Sequence, residues 1–542
     1  MNWNRLRVRS AWVAAFALAA GCSVSRDSSE TPTMGPNYPG GGVDAGGGGG
    51  GGGGGNAETG GTGGLPPEQE VESFYESPVA TGRYVWIANP VSGRVAYVDA
   101  VTLEVKTTEA GNGPTWLAPV PSESEDVAVV INALSANATI LRASAQGKIE
   151  SKSVPVAAEN NAWAVSGHGA WAIAWTNAKT VTAPTDAQGF QDVTVVSLKK
   201  GEETSTRLSV GYRPVTLTFS ADETHAYAVT QDGISVIELQ APGGPAAVKI
   251  VPMSADPLED PGTRDVAVTP DGAYAMVRRD GDAHLTVVKL EDGTLTDVLL
   301  PGAVTDLDIA PNGEHAVAVI RDLGQAAVLP IPGIVSDPTT FATAQIDGVV
   351  VGSVAMASGA QMALLFSNAT DQERVVKLEY GATVPSVQTL TLHAPVLGVF
   401  VASTGASAIV LHKAVADAGT ASAGAFSVMN IAPLLPAKIV GTLAPPTAVA
   451  LTPLGDYGIV AEREDTTHVY GAYLVRAANQ QVDRYSLASP PIAVGALPEA
   501  RRAFVAQKHA EGRITFIDLD EGQARTLTGF ELGARVVDGT GN

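Results

Sequence analysis

The stretch "VTPDGAYAMVRR" at residues 268–279 reads as strand, tight turn, strand. Pro270 fixes φ, Asp271 caps the turn and Gly272 permits positive φ. The same grammar recurs in "FSADETHAYAVT" (219–230), "IAPNGEHAVAVI" (309–320), "VASTGASAIVLH" (401–412) and "LTPLGDYGIVAE" (451–462). Five places past each turn anchor stands a small residue: Ala226, Ala275, Ala316, Ala408, Gly458 and Ala503. A small residue recurring there marks close approach between neighbouring sheets. Looser copies place anchors near residues 80, 121, 167, 221, 270, 311, 358, 403, 453 and 498, spaced 41 to 54 residues apart.

Residues 270–310 hold four strands in order: "YAMVRR", "HLTVVKL", "TLTDVLL" and "VTDLDIA". Helical periodicity is almost absent from residue 78 onward. Repeats of about 40–50 residues built from strand alone are the pattern of propeller blades. The expectation is an all-β fold: a β-propeller of about ten four-stranded units over residues 71–542, as one large ring or two smaller rings. The "PDG" turn, the alternating strand after it and "LTVVKLEDG" (285–293) resemble the YVTN-repeat, lactonase-like group of bacterial β-propellers. That resemblance implies an architecture and does not name a reaction. Ring closure is expected to pair "GARVVD" (533–538) with "RYVWIA" (83–88), which would remove exposed edges.

The N-terminus has a different character. Arg5, Arg7 and Arg9 precede an apolar run at 11–20, and small residues lead to Cys22, the one cysteine in 542 residues. This is the plan of a secretory signal over residues 1–21. An apolar run of about 10 residues is too short to span a bilayer, which takes about 20. "LAAGC" (18–22) resembles the lipobox of bacterial lipoproteins, which implies that Cys22 is lipidated and becomes the new N-terminus. A lone cysteine in an exported chain has no intramolecular disulfide partner, which agrees with that role. Ser23 follows the cysteine, a position where aspartate would favour inner-membrane retention, so the expected location is the outer membrane, on its periplasmic or cell-surface face. Residues 22–70 form the lipid anchor and a Gly-rich tether that includes ten consecutive glycines, Gly46 to Gly55. A Gly-rich chain of that length has a root-mean-square span of roughly 35–42 Å.

The chain carries 34 basic and 56 acidic residues, a net charge of −22. That balance argues against nucleic acid as a partner and against electrostatic docking on anionic lipid. Among candidates for chemistry, Trp163, Trp171 and Trp175 cluster in sequence, with Trp171 and Trp175 on one face of a strand. They read as inter-sheet core or, as the functional alternative, as a stacking platform for a partner. The eight histidines show no HExxH or other close ligand spacing, and they read as turn or strand-end residues. "SESED" (122–126), "DLD" (306–308) and "DLDEG" (518–522) do not follow the EF-hand pattern.

No catalytic or metal-ligating residue is assigned from these patterns, and no cofactor is expected, with calcium as the alternative. The expected function is a cell-envelope lipoprotein that displays a propeller as a non-enzymatic binding or scaffold platform for protein or polysaccharide partners. The alternative is a lactonase-like hydrolase using a divalent cation bound in the channel.

Overall fold

A computed structural model describes residues 78–529 except 91, 123, 145–146, 178–189, 256–263, 414–422, 432–434 and 510–511. The described chain forms ten four-stranded antiparallel sheets, each built from four consecutive strands in simple meander order. The blades, numbered along the chain, cover residues 79–109, 114–155, 162–209, 216–251, 264–299, 306–345, 353–391, 396–442, 446–486 and 491–528. Within each blade the strands are called a to d, and a is innermost.

Nine of the ten turn anchors fall in a–b turns, and the tenth, at residue 80, is the last residue of strand a of blade 1, at the edge of its turn. In blade 5 the turn is locked by side chains. Thr269 Oγ1 donates to Asp271 Oδ1 (2.6 Å) and accepts from Tyr274 N (3.0 Å), while Asp271 Oδ1 accepts from Ala273 N (3.0 Å). Gly272 takes φ +71°, as the turn requires.

The small residues mark the seams between blades. Ala226, Ala275, Ala316, Ala408 and Ala503 are each 1% exposed or less, and each packs with apolar side chains of the preceding blade. Strands b and c carry near-continuous apolar runs because both of their faces are covered. Strand d is the outer edge and is rich in Ser, Thr and charge, as in "TSTRLS" (204–209), which protects it from edge pairing.

Blade follows blade around one closed ring. Val85 and Val98 of blade 1 pack with Leu497, Phe504 and Phe516 of blade 10. Two expectations are corrected here. Closure is by side-chain packing and not by strand exchange, because blade 10 completes its own sheet with Ala524–Thr528. "RYVWIA" is paired within blade 1, with Val79–Ala80 on one side and Arg94–Asp99 on the other; "GARVVD" lies outside the described residues. The unit read at 270–310 is also out of phase by one strand. Asp306–Ile309 is strand a of blade 6, since the crossover to the next blade follows strand d.

Candidate functional site: the channel wall and the crossover loops

The innermost strands line the channel, and their chemistry is uneven. Blades 8 to 10 contribute "VLGVFV" (396–401), "PTAVAL" (446–451) and "PIAVGAL" (491–497). Blades 5 and 6 contribute "RDVAV" (264–268) and "DLDI" (306–309), which carry Arg264, Asp265, Asp306 and Asp308. Arg264 Nη2 donates to the Gln231 carbonyl (2.7 Å), and Asp306 Oδ2 accepts from Val354 N of blade 7 (2.8 Å). Asp265 accepts from Arg278 Nε (3.2 Å), and Arg278, 2% exposed, also pairs with Asp280 (3.0 Å). These charges join blade 4 to blade 5 and blade 6 to blade 7, and the Arg278 pairs brace blade 5 itself.

A second set of polar residues lies where strand b ends, beside the loops that cross from one blade to the next. Four places beyond the small position stand Asn132, Thr176, Thr230, Arg279, His412, Glu462 and Gln507. Each is held by strand c or by the crossover. Asn132 Nδ2 donates to Thr139 Oγ1 (2.9 Å), and Gln507 Nε2 donates to Thr515 Oγ1 (2.7 Å). Arg279 reaches Thr286 Oγ1 (2.8 Å) and the Met253 carbonyl (3.2 Å). His412 is 1% exposed, with Nδ1 3.1 Å from the Pro395 carbonyl and Nε2 2.7 Å from Ser427 Oγ. A carbonyl only accepts, so Nδ1 carries the proton and Nε2 accepts from the hydroxyl. Burial lowers the His412 pKa to about 4.

Glu462 is fully buried and completely engaged. It accepts from Leu443 N (2.8 Å), Ala444 N (3.1 Å), Tyr473 Oη (2.8 Å) and Arg484 Nε (2.7 Å). Burial, with the carboxylate beside it, pushes Tyr473 up to about 12. At the opposite end of the blades, Glu223 takes the left-handed conformation (φ +55°) that Gly272 takes in blade 5. Its carboxylate accepts from His168 N and Ala170 N of blade 3. Such an anchor offsets the strain of a side chain at positive φ.

The tryptophans named from the sequence separate onto two seams. Trp163 packs between blades 2 and 3 and donates from Nε1 to the Trp116 carbonyl (3.1 Å). Trp171 and Trp175 share a face between blades 3 and 4, and Trp175 is 7% exposed. His225, His284 and His315 open strands, His412 closes one, and His168 and His468 lie in turns. Among the described residues, no group of three or more His, Cys, Asp or Glu is placed to hold a metal ion. Asp518 of "DLDEG" caps its own turn, accepting from Asp520 N (3.0 Å) and Glu521 N (2.8 Å). Cys22 and the tether lie outside the described residues.

The fold therefore defines a ten-bladed β-propeller protein. No family model matches the chain, and no curated protein matches it. Similar solved structures include a eukaryotic initiation factor, at 11% identity and TM-score 0.48, covering 77% of this chain and 96% of that one. Another is the dihydro-heme d1 dehydrogenase NirN, at 10% identity and TM-score 0.41, covering 87% of this chain and 78% of that one. A third is the β-propeller domain of Cps50 (Swd1) from Myceliophteria thermophila, at 11% identity and TM-score 0.29, covering 49% and 85%. Likeness at this level carries no functional argument.

Proposed function

We propose that this chain is a cell-envelope lipoprotein, anchored through Cys22 at the outer membrane, that presents its propeller as a non-enzymatic binding platform for protein or polysaccharide. What supports the anchor is the basic, apolar and small-residue order before Cys22, followed by the glycine tether. The observation that carries the platform reading is the engagement of four buried ionisable groups. His412, Glu462 and Glu223 are committed to backbone and side-chain partners that fix crossovers and seams, and Arg278 pairs with Asp265 and Asp280 inside blade 5. The residues open to a partner are then those of turns and outer strands, where sequence is free to vary on a rigid frame.

Labelling with radioactive palmitate in a Gram-negative host, followed by fractionation in high salt, tests the anchor. The wild-type chain takes up label and sediments with membranes; Cys22→Ser is unlabelled and soluble. Membrane retention of Cys22→Ser in high salt would overturn the anchor. The second reading, hydrolysis of a lactone at a channel-bound divalent cation, draws on the acids Asp265, Asp306 and Asp308 of adjacent innermost strands, although among the described residues no three such groups stand together to hold an ion. Metal analysis of protein purified without chelator, with melting before and after EDTA, separates the two. A stoichiometric ion whose removal lowers the melting temperature, together with lactone turnover, would favour the hydrolase.

A further inference from the structure

Blade 10 carries a groove on its outer strands, lined by Arg502, Phe516, Asp518, Glu521, Gln523 and Arg525. The sheet register explains its make-up. Arg502 on strand b faces Asp518 on strand c, and Asp518 N donates to the Gln523 carbonyl across the c–d turn. One row along, Phe516 faces Arg525 on strand d. Residues two apart share a face, so the row of Arg502 and Asp518 and the row of Phe516 and Arg525 look the same way. Phe516 is 1% exposed and forms the floor.

The two guanidinium groups stand apart from the rest of the molecule. Acids outnumber bases 56 to 34, and among the described residues every other arginine has a carboxylate, carbonyl, hydroxyl, ring or other partner. Among the described residues the guanidinium groups of Arg502 and Arg525 have no hydrogen-bond or ion-pair partner. A similar groove on blade 7, lined by Lys377, Glu379, Ser386, Val387 and Gln388, shows the contrast: there Lys377 pairs with Glu379 at 2.6 Å. A planar guanidinium matches a carboxylate geometrically, and here one half-buried (Arg502) and one exposed (Arg525) flank the same groove.

The rest of the lining narrows the ligand. Asp518, Glu521 and Gln523 offer oxygens that accept from hydroxyl groups. An acidic peptide brings carboxylates but no ring hydroxyl donors for Asp518, Glu521 and Gln523. A uronic acid brings one carboxylate and several hydroxyl donors on each ring. We propose that this groove is a binding site for a uronate unit of an acidic polysaccharide, with Arg502 and Arg525 taking the carboxylate and the acidic and amide side chains taking the hydroxyls. This deepens the platform reading by naming the ligand class for one of its surfaces.

Calorimetric titration of the full chain in detergent micelles tests the site, with tetragalacturonate as probe and its methyl ester and hexaglutamate as comparisons. Binding of tetragalacturonate is expected, with a loss of about tenfold or more in Arg502→Gln, in Arg525→Gln and on methyl esterification. The melting temperature should be unchanged in Arg525→Gln, because that side chain is exposed and unpartnered. Absence of binding at millimolar probe, binding indifferent to both arginines and to esterification, or equal binding of hexaglutamate would each overturn the proposal. The palmitate and lactone experiments do not involve this groove, so a failure here leaves the anchor and platform reading standing. Cleavage of the probe would count against the non-enzymatic reading and leave the site itself intact.

Discussion

Arg484 on strand d of blade 9 reaches across the sheet to Glu462 on strand b, its Nε 2.7 Å from Oε1. Gly471, on the strand between them, leaves the room: a β-carbon there would stand 2.3 Å from Glu462 Oε1. Removing the arginine leaves a fully buried carboxylate without its counter-charge. Arg484→Ala should therefore cost about 3–5 kcal/mol. The comparison is Arg501→Ala, whose pair with Asp520 is about half exposed on both sides and contributes about 0–1 kcal/mol. Urea denaturation at neutral pH measures both. Equal costs would mean that the Glu462 network is not held as described.

His412 gives the fold an acid-sensitive seam. In the native chain it titrates near 4, against 6.5 when unperturbed, because burial disfavours the imidazolium. Between those values the unfolded chain binds the extra proton. Stability is unaffected above about pH 6.5, falls as pH drops towards 4, and has lost about 3 kcal/mol below that. His412→Gln keeps the ability to hydrogen-bond Ser427 and removes the titration, much as Gln507 bonds Thr515 in blade 10. Its denaturation midpoint should change less between pH 7 and pH 4.5 than that of wild type; an unchanged slope would place the acid sensitivity elsewhere.

The small position in each seam has little tolerance. At Gly458 a β-carbon would meet Ile409 Cδ1 at 2.5 Å and Leu451 Cδ2 at 3.1 Å. Gly458→Ala should destabilise by about 1–3 kcal/mol through overpacking between blades 8 and 9. A melting temperature equal to or above wild type would show that Ile409 moves aside freely.

Trp86 is fully buried against Tyr84 and Tyr97 and donates from Nε1 to Thr81 Oγ1 at 3.0 Å. Trp86→Ala should cost about 3–5 kcal/mol. Trp171→Ala should cost less, because that side chain is only half-buried on its seam. Denaturant midpoints of the two variants check the order, and a reversed order would misplace the core of blade 1.

The blade count was legible because the turn chemistry repeats. Thr269, Asp271 and Gly272 each have a job in a local turn, and local jobs leave a mark on sequence. The phase of the blades was not legible, since strand d and the next strand a are joined by a loop that looks like any other. Closure is not legible for a related reason: packing of Phe504 and Phe516 on Val85 involves residues more than 400 apart and has no local signal. The polar position at the end of strand b leaves no clear period in the sequence, because the residue types differ from Thr to Arg to His to Glu and blade 6 has Ile320 there. What the polar ones share is a hydrogen bond to a crossover or to strand c, which only the three-dimensional arrangement reveals. Arg502 and Arg525 likewise look ordinary on a strand until the lack of a partner is seen.

The single closed ring is tested most directly by distances between nitroxide labels. Cys22 is the one cysteine, so Cys22→Ser gives a clean background. Labels at the exposed outer-strand positions Thr107 (blade 1), Asp297 (blade 5), Thr343 (blade 6) and Ala524 (blade 10) can be read in pairs by double electron–electron resonance. One ring of ten predicts that Thr107–Ala524 is short, comparable with Asp297–Thr343 on the neighbouring blades 5 and 6, and that Thr107–Asp297 and Thr107–Thr343 are both long. A short Thr107–Asp297 distance with a long Thr107–Ala524 distance would mean two rings of five and would contradict the closure of blade 10 on blade 1.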